Sequence, residues 1–461
     1  MDVGLQPTVL EASEHVGGMA RSTVLWGHTV DLGPHRFFSS DPVVVAFWHR
    51  HIAGDHVTVR RTTRILYDGK LFDYPLKAGN ALANLGPFRA VAAVASYAAA
   101  RLRRAQDLDT LEAWITDRFG RVLYETFFRT YTEKLWGIRC TELDADWAAQ
   151  RIQGLTLWGA IRSALTRNRG NALKTLVDEF AYPRSGNSLL YERMRTHVED
   201  GGGSVRTASP VRRVLTDGGR VTGVALADGT EVPADHVVSS MPLTLLLKGF
   251  DDVPAHVQAA AERLRFRNTI LVYLRVDGTD LFPDQWLYVH DRSVLHGRIT
   301  NFRNWSPDLM ANDDETILCM EFWCFDEDPI WSEDDADLVA RARDELVTTG
   351  LAAAGTIGDG AVIRVPRCYP VYERGYQEPL QVVTDWLDGV EGLTAIGRYG
   401  AFKYNNQDHS LLMGIMAAEA LAEDRPAPLW HVNTDSTYQE AAPSSTLKAS
   451  ESYSNDPPTG G

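Results

Sequence analysis

The chain has 461 residues, 44% of them hydrophobic, with 46 basic against 61 acidic residues and a formal net charge of −15. That length and apolar content can bury a large core and organise two interwoven domains. The acidic balance argues against nucleic acid as the main partner, yet leaves room for an anionic small molecule, because a local arginine cluster overrides a global charge. The four cysteines, Cys140, Cys319, Cys324 and Cys368, form no CxxC pair and no metal-like spacing with histidine. They read as reduced structural residues of a cytoplasmic protein, and no metal site is expected.

The first informative segment is TVLEASEHVGGMARS, Thr8 to Ser22. Val9-Leu10-Glu11 reads as a buried strand ending in an acid, the position where a Rossmann unit places a carboxylate to accept both ribose hydroxyls. Gly17, Gly18 and Arg21 put two residues without side chains beside a fixed cation, which suits close approach to a pyrophosphate. A plain strand followed by a glycine turn is the alternative for this segment taken alone. The Gly-rich phosphate loop belongs about 20 residues upstream of such an acid, and ten residues precede Glu11. The expectation is therefore an apolar strand and G-x-G-x-x-G encoded upstream of Met1. If the short form is what the cell makes, a non-catalytic remnant is the alternative.

Residues 41 to 180 are expected to be largely helical, with Trp114, Phe119, Tyr124, Phe127 and Phe128 at helical spacing. Within them the apolar run Ala90 to Ala100 is about half a bilayer span. It reads as an Ala-rich core helix whose basic end, Arg101 to Arg104, suits the helix dipole; shallow membrane contact is the alternative. From Gly203 to Met241, short Val-rich strands separated by Asp-Gly turns predict a meander of tight hairpins. Residues 245 to 375 alternate apolar and polar positions, as in TILVYLRV and TILCMEFWCF, and predict a mixed sheet with one face towards a cavity. Cys319 and Cys324 lie an odd number of residues apart on such a strand and should point to opposite faces. Leu393 to Ile396 reads as a strand, Gly397 to Gly400 as a tight turn, and a helix should start near Asp408 or Ser410 and run to Leu421. The tail from Val432, rich in Ser, Thr, Pro and Glu, is expected to be disordered.

The Gly17-Gly18-Arg21 segment, together with DLGPHRFFS (Asp31 to Ser39), DGKLFDYPLK (Asp68 to Lys77), YTEKLWGI (Tyr131 to Ile138) and GRYGAFKYNNQDHS (Gly397 to Ser410), resembles the FAD superfamily of amine oxidases, protoporphyrinogen oxidases and UDP-galactopyranose mutases. The resemblance runs from about residue 8 to 425. It implies an α/β fold: an FAD-binding, Rossmann-like domain of the glutathione-reductase type, interleaved with a mixed-sheet and helical substrate domain. The implied divisions are 1–40, 200–244 and 390–425 for FAD, 41–199 and 245–389 for substrate, and a tail at 432–461.

The same resemblance implies non-covalent FAD contacts from Glu11, Gly17, Gly18, Arg21, Val211, Gly397, Gly400 and Ser410. His35 and Arg398 would stand by the flavin's reactive edge, and Lys403, Tyr404 and Asp408 on the substrate side. Arg184, Arg303, Arg364 and Arg367 are candidate diphosphate clamps, though each singly also reads as a surface or salt-bridge residue. Tyr369, Tyr372 and Trp305 could stack on a base or sugar, or simply pack. Two chemistries remain open: hydride transfer to flavin N5, or a pyranose–furanose mutation of a nucleotide sugar on reduced FAD. Asn405-Asn406-Gln407 and His409 depart from the mutase pattern, which leaves the substrate open.

Overall fold

The computed structural model describes residues 3–103, 108–145 and 179–433. Its largest element is a seven-stranded mixed sheet. In spatial order the strands are Ile357–Pro370, Phe266–Asp277, Glu315–Cys324, Arg298–Asn301, Trp286–Val289, Thr63–Tyr67 and Lys70–Asp73. Neighbours run antiparallel except Trp286–Val289 and Thr63–Tyr67, which are parallel.

The strands Phe266–Asp277 and Glu315–Cys324 are rich in Ile, Val, Leu and aromatics because both faces are covered, as the alternating pattern alone did not require. Ile270, Val272, Phe322 and Cys324 pack on one face, and Leu271, Tyr273, Ile317 and Cys319 on the other. The opposite-face reading of Cys319 and Cys324 therefore holds, and both are free and buried.

The segment expected to be largely helical opens with the helix Pro42–Ile52 but then turns to strands, His56–Arg60, Thr63–Tyr67 and Lys70–Asp73. The cause is local. Asp68 and Gly69 both take positive φ, 52° and 66°, which closes a two-residue hairpin between Tyr67 and Lys70. The helices follow, at Leu111–Phe119, Arg121–Phe127 and Arg129–Trp136, and their apolar faces bring Trp114, Phe119, Tyr124 and Trp136 into one core. Residues 146–178, the remainder of the expected helical region, lie outside the described residues.

The segments with the Rossmann-like pattern form smaller sheets. Thr8–Leu10 pairs in parallel with Ser204–Arg206, and Val237–Ser239 in parallel with Leu393–Ala395. Val211–Asp217, Arg220–Leu226 and Glu231–Pro233 make the expected antiparallel meander. Val9 is not buried as expected but 40% exposed, since Thr8–Leu10 has a single strand neighbour among the described residues.

Two further expectations change. The run Ala90 to Ala100 is a helix, Pro87–Leu102, but it lies on the surface, with only Ala93 buried. Val432 is packed, at 8% exposure, so the disordered tail does not begin there; residues 434–461 lie outside the described residues.

Close packing around Trp323 gives a direct test. A Cβ at Gly297 would lie 1.9 Å from Trp323 Cζ3, and both residues are buried. Gly297→Ala is expected to lower stability by about 1–3 kcal/mol through overpacking, read as a lower urea midpoint at unchanged slope.

Candidate active site

The site grows from the turn after the strand His28–Asp31. Gly33 adopts φ 91° and its N–H closes on the Asp31 carbonyl at 2.8 Å, reversing the chain so that His35 follows beside the large sheet. Asp31 itself is 1% exposed. Its carboxylate accepts from Ser22 Oγ at 2.6 Å, Tyr182 OH at 2.7 Å, and Asn187 Nδ2 at 2.5 Å and N at 3.2 Å. Asn187 Nδ2 also donates to the His35 carbonyl, and Asn187 Oδ1 accepts from Gln407 Nε2. Gln407 in turn accepts from Tyr191 OH.

His35 stands between two cations. Its Nδ1 is buried without a hydrogen-bond partner. Burial first, then the charges of Arg298 and Arg398, push its pKa down to about 3 against the pull of the Gly33 backbone, so the imidazole is neutral at physiological pH. Arg298 grips Glu321 on the neighbouring strand with a two-pronged bond, 2.5 and 2.6 Å, and also donates to Tyr369 OH at 3.2 Å. Glu321 is 1% exposed, and a Cβ at Gly33 would lie 3.5 Å from its Oε1. The turn thus rides close over the ion pair.

Arg398 is held differently. It donates from Nε to the Cys368 carbonyl and from Nη1 to the Asn405 carbonyl, each at 2.8 Å, and its buried Nη2 has no hydrogen-bond partner among the described residues. The guanidinium sits 4.7 Å from the ring centre of Tyr369 and 4.3 Å from that of Tyr404; those rings stack at 5.4 Å. Tyr404 N donates to Tyr372 OH. Tyr131 completes the aromatic wall, edge-on to Trp323 and stacked on His290.

The helix Gln407–Ala422 starts one residue before Asp408 and three before Ser410, the positions near which the sequence reading placed its start. Its cap is Asn406, in a reciprocal arrangement: the Asn406 side chain accepts from His409 N, and His409 Nδ1 accepts from Asn406 N. Asp408, 2% exposed, lies in the first turn, and Ser410 Oγ donates back to the Asn406 carbonyl. The N–H groups of Gln407 and Asp408 have no intrahelical acceptor at this position. Gly397–Gly400 is a short helix rather than a tight turn. A Cβ at Gly400 would lie 2.9 Å from the Ser239 carbonyl, so this glycine serves close backbone packing.

The remaining sequence candidates fall into two groups. Glu11 Oε1 accepts from Ser13 N, while the Glu11 carbonyl accepts from Ser209 N, two residues before the strand that begins at Val211. Gly17, φ 102°, packs on the Tyr191 ring and Gly18 takes φ 55°; Arg21 donates to the Gly18 carbonyl. Through Tyr191 and Gln407, that glycine pair connects to the helix start.

The side chains of three candidate clamps meet protein groups. Arg184 faces Asp308, Arg303 binds the Glu315 and Asn312 carbonyls, and Arg364 binds the Trp331 carbonyl and Asp335. Arg367 lies on the strand Ile357–Pro370, its N–H on Asn268 Oδ1. Lys403 turns to the carbonyls of Trp430 and Val432, and Trp305 is 2% exposed in the core. Sequence reasoning did not single out Asp31, Tyr131, Asn187, Arg298, Glu321 or Gln407. Asp31, Tyr131 and Gln407 lie inside motifs already noticed; Arg298 and Glu321 meet only through strand pairing.

Asp31 provides a pH test. Burial raises its pKa from 3.8 to about 6, against the lowering pull of Ser22, Tyr182 and Asn187. A raised carboxyl favours folding most below the unfolded value and loses that contribution as pH rises through the folded one, about 3 kcal/mol in all. Asp31→Asn removes the titration. Its stability deficit relative to wild type is expected to shrink between about pH 4 and pH 7, by urea unfolding at both; a deficit that grows with pH would mean the donors outweigh burial.

Known proteins share this framework. A coproporphyrinogen III oxidase of Mycobacterium tuberculosis is 24% identical over 425 residues, covering 85% of this chain and 89% of that protein. A hydroxyneurosporene desaturase of Cereibacter sphaeroides is 49% identical over 52 residues, 11% of this chain and 10% of that protein. A reduced UDP-galactopyranose mutase superposes with TM-score 0.80 at 19% identity over 92% of each chain. Cyclohexylamine oxidase from Brevibacterium oxydans IH-35A gives 0.62 at 15% identity over 92% of this chain and 94% of its own. At these identities the superpositions speak for the fold. The model of the flavin containing amine oxidoreductases matches residues 1–365, and the chain belongs to that family as a flavin-dependent oxidoreductase.

Proposed function

We propose that the flavin is FAD and that the chain acts at its N5 edge on a nucleotide sugar or a comparably anionic biosynthetic intermediate. The observation that carries this reading is Arg398: a guanidinium held by two carbonyls and two tyrosine rings, with Nη2 buried and unpaired. Arg298 beside it has its charge met by Glu321. A site with that surplus suits a phosphate or carboxylate and repels a protonated amine.

The residues present fit the cofactor. Neutral His35 offers an unpaired Nδ1, the Gly33 turn passes close over the Arg298–Glu321 pair, and the first-turn N–H groups of the helix Gln407–Ala422 form an end suited to negative charge. In this reading Glu11 takes the ribose hydroxyls, Gly17, Gly18 and Arg21 the pyrophosphate, and the strand at Val211 passes the adenine. Gly397, Gly400, Ser410 and the Asp408 backbone belong to the ring end. Residues 1–40, 200–244 and 390–425 would then form the cofactor domain.

When bound, FAD supplies N5 either as a nucleophile in its reduced state or as a hydride acceptor in its oxidised state. Tyr369 and Tyr404 would hold the sugar or phosphate hydroxyls, Arg398 would neutralise the departing or bound anion, and Tyr131 would close the wall against water. The polar, tyrosine-rich lining favours the mutase-like use, a pyranose–furanose isomerisation without net oxidation, over oxidation of an apolar amine.

Anaerobic assays separate the two. Interconversion of a uridine diphosphate sugar by dithionite-reduced protein, with no further reductant consumed, is expected; bleaching of oxidised flavin by substrate would instead establish the oxidase. Arg398→Lys retains charge but cannot span the Cys368 and Asn405 carbonyls together. It is expected to lower kcat/KM by about ten- to a hundredfold, whereas an unchanged value would remove Arg398 from the anion's path.

A further inference from the structure

The helix Pro87–Leu102 carries an apolar face that no described residue covers. Phe88 is 91% exposed, Val91 70%, Val94 45% and Leu102 86%. Positions 88, 91, 95, 98 and 102 follow the three-four spacing that lines one helix face; they hold Phe, Val, Ala, Ala and Leu, all exposed. The helix is not free to roll this face inward. Its other side is fixed by Gly120, where a Cβ would lie 2.7 Å from Tyr97 N, and by Ser96 Oγ, which accepts from Val122 N.

The charges around that face have one sign. From Tyr74 to Gln106 the sequence contains Lys77, Arg89, Arg101, Arg103 and Arg104 and no aspartate or glutamate, in a chain of net charge −15. Flanking acids reach in at two points. Asp73 lies 3.3 Å from Lys77 and Asp68 lies 3.6 Å from Arg89, across exposed surface where such pairs are weak. At the far end of the helix, Arg101 lies over the Tyr97 ring and Arg103 follows.

We propose that this face docks on an anionic lipid bilayer. Phe88, Val91, Val94 and Leu102 enter the boundary between headgroups and acyl chains, and Arg89, Arg101 and Arg103 meet the lipid phosphates. The helix lies in the surface rather than crossing it: its 16 residues span about 24 Å against a hydrocarbon core of about 30 Å, and no described helix is long and apolar enough to cross. A basic amphipathic helix of this kind binds by apolar area together with attraction to anionic headgroups.

A second copy of the chain fits the face poorly. Both ends of the helix are basic, so parallel and antiparallel pairing alike set cations against cations. The neighbouring helix, Ala78–Leu85, packs Ala81 and Leu85 with Phe72 and Phe127 in a cluster that Tyr288 joins. Tyr288 is edge-on to Tyr131. Docking would therefore bring a bilayer to the rim of the candidate active site.

The test is cosedimentation of the full chain with vesicles of phosphatidylcholine alone or with about 30% phosphatidylglycerol. Binding is expected only to the anionic vesicles and is expected to fall with salt. The triple variant Phe88→Ser, Val91→Ser, Leu102→Ser and the double variant Arg101→Glu, Arg103→Glu should each weaken binding by about tenfold or more, at an unchanged thermal midpoint because the altered side chains are exposed. No binding to anionic vesicles, or a triple variant that binds like wild type, overturns the proposal. So does a concentration-dependent dimer that the triple variant abolishes, because the face would then be a contact between copies.

Discussion

A carboxyl group that is 1% exposed must be met by donors on every side, and at Asp31 those donors come from three separate parts of the chain. Ser22 lies on the partner strand, Tyr182 on the strand Glu179–Pro183, and Asn187 at the start of the helix Ser188–Asp200. Tyr273, from the centre of the large sheet, donates to the Asp31 carbonyl. Asn187 then extends the network to the His35 carbonyl and to Gln407. One buried acid therefore sets the Gly33 turn relative to the sheet below it and to the helix start beside it. Removing any single partner leaves the others facing an unsatisfied charge, which makes the arrangement cooperative.

The electrostatics follow from that placement. His35 is carried to within the field of both Arg298 and Arg398, and burial plus those charges deny it a proton. Glu321 compensates one arginine only. The second is stabilised by carbonyl dipoles and the faces of Tyr369 and Tyr404, which lower the energy of the cation without neutralising it. Such a site presents a neutral nitrogen and an uncompensated positive charge side by side. Both properties depend on side chains distant in sequence.

What the sequence made legible divides along that line. The glycine turns, the hairpin meander and the helix over 407–422 rest on local rules of φ, turn chemistry and periodicity, so residues such as Gly17, Gly33 and Gly397 stood out. The pairing of Arg298 with Glu321 did not, because it requires knowing that two strands lie side by side in one register. The protein partners of three candidate clamps were hidden for the same reason. Arg184, Arg303 and Arg364 are indistinguishable from site arginines until their partners are known. The helix cap was missed by two residues because His409 supplies the reciprocal bond usually made by Glu or Gln. The Ala-rich helix went to the wrong side of the molecule because small apolar residues satisfy a core and a surface pattern equally well; only the neighbours at Gly120 and Val122 fix which face is outward.

The division of labour in the site is compatible with a fold that superposes at 15–19% identity on proteins with such different names. Residues facing the expected cofactor are held by backbone geometry: the Gly33 turn, the Gly397–Gly400 helix and the capped start at Asn406. The wall proposed to face the substrate is assembled from elements with independent supports: Tyr131 from the helix Arg129–Trp136, Arg298 and Glu321 from neighbouring strands, Tyr369 from an edge strand of the large sheet, and Tyr404 from the loop before the helix Gln407–Ala422. Exchanging a wall residue disturbs one support and leaves the Asp31 network intact, so substrate chemistry can diverge over a fixed cofactor frame. The surplus charge at Arg398 belongs to that proposed wall, and through it the proposed substrate would be selected.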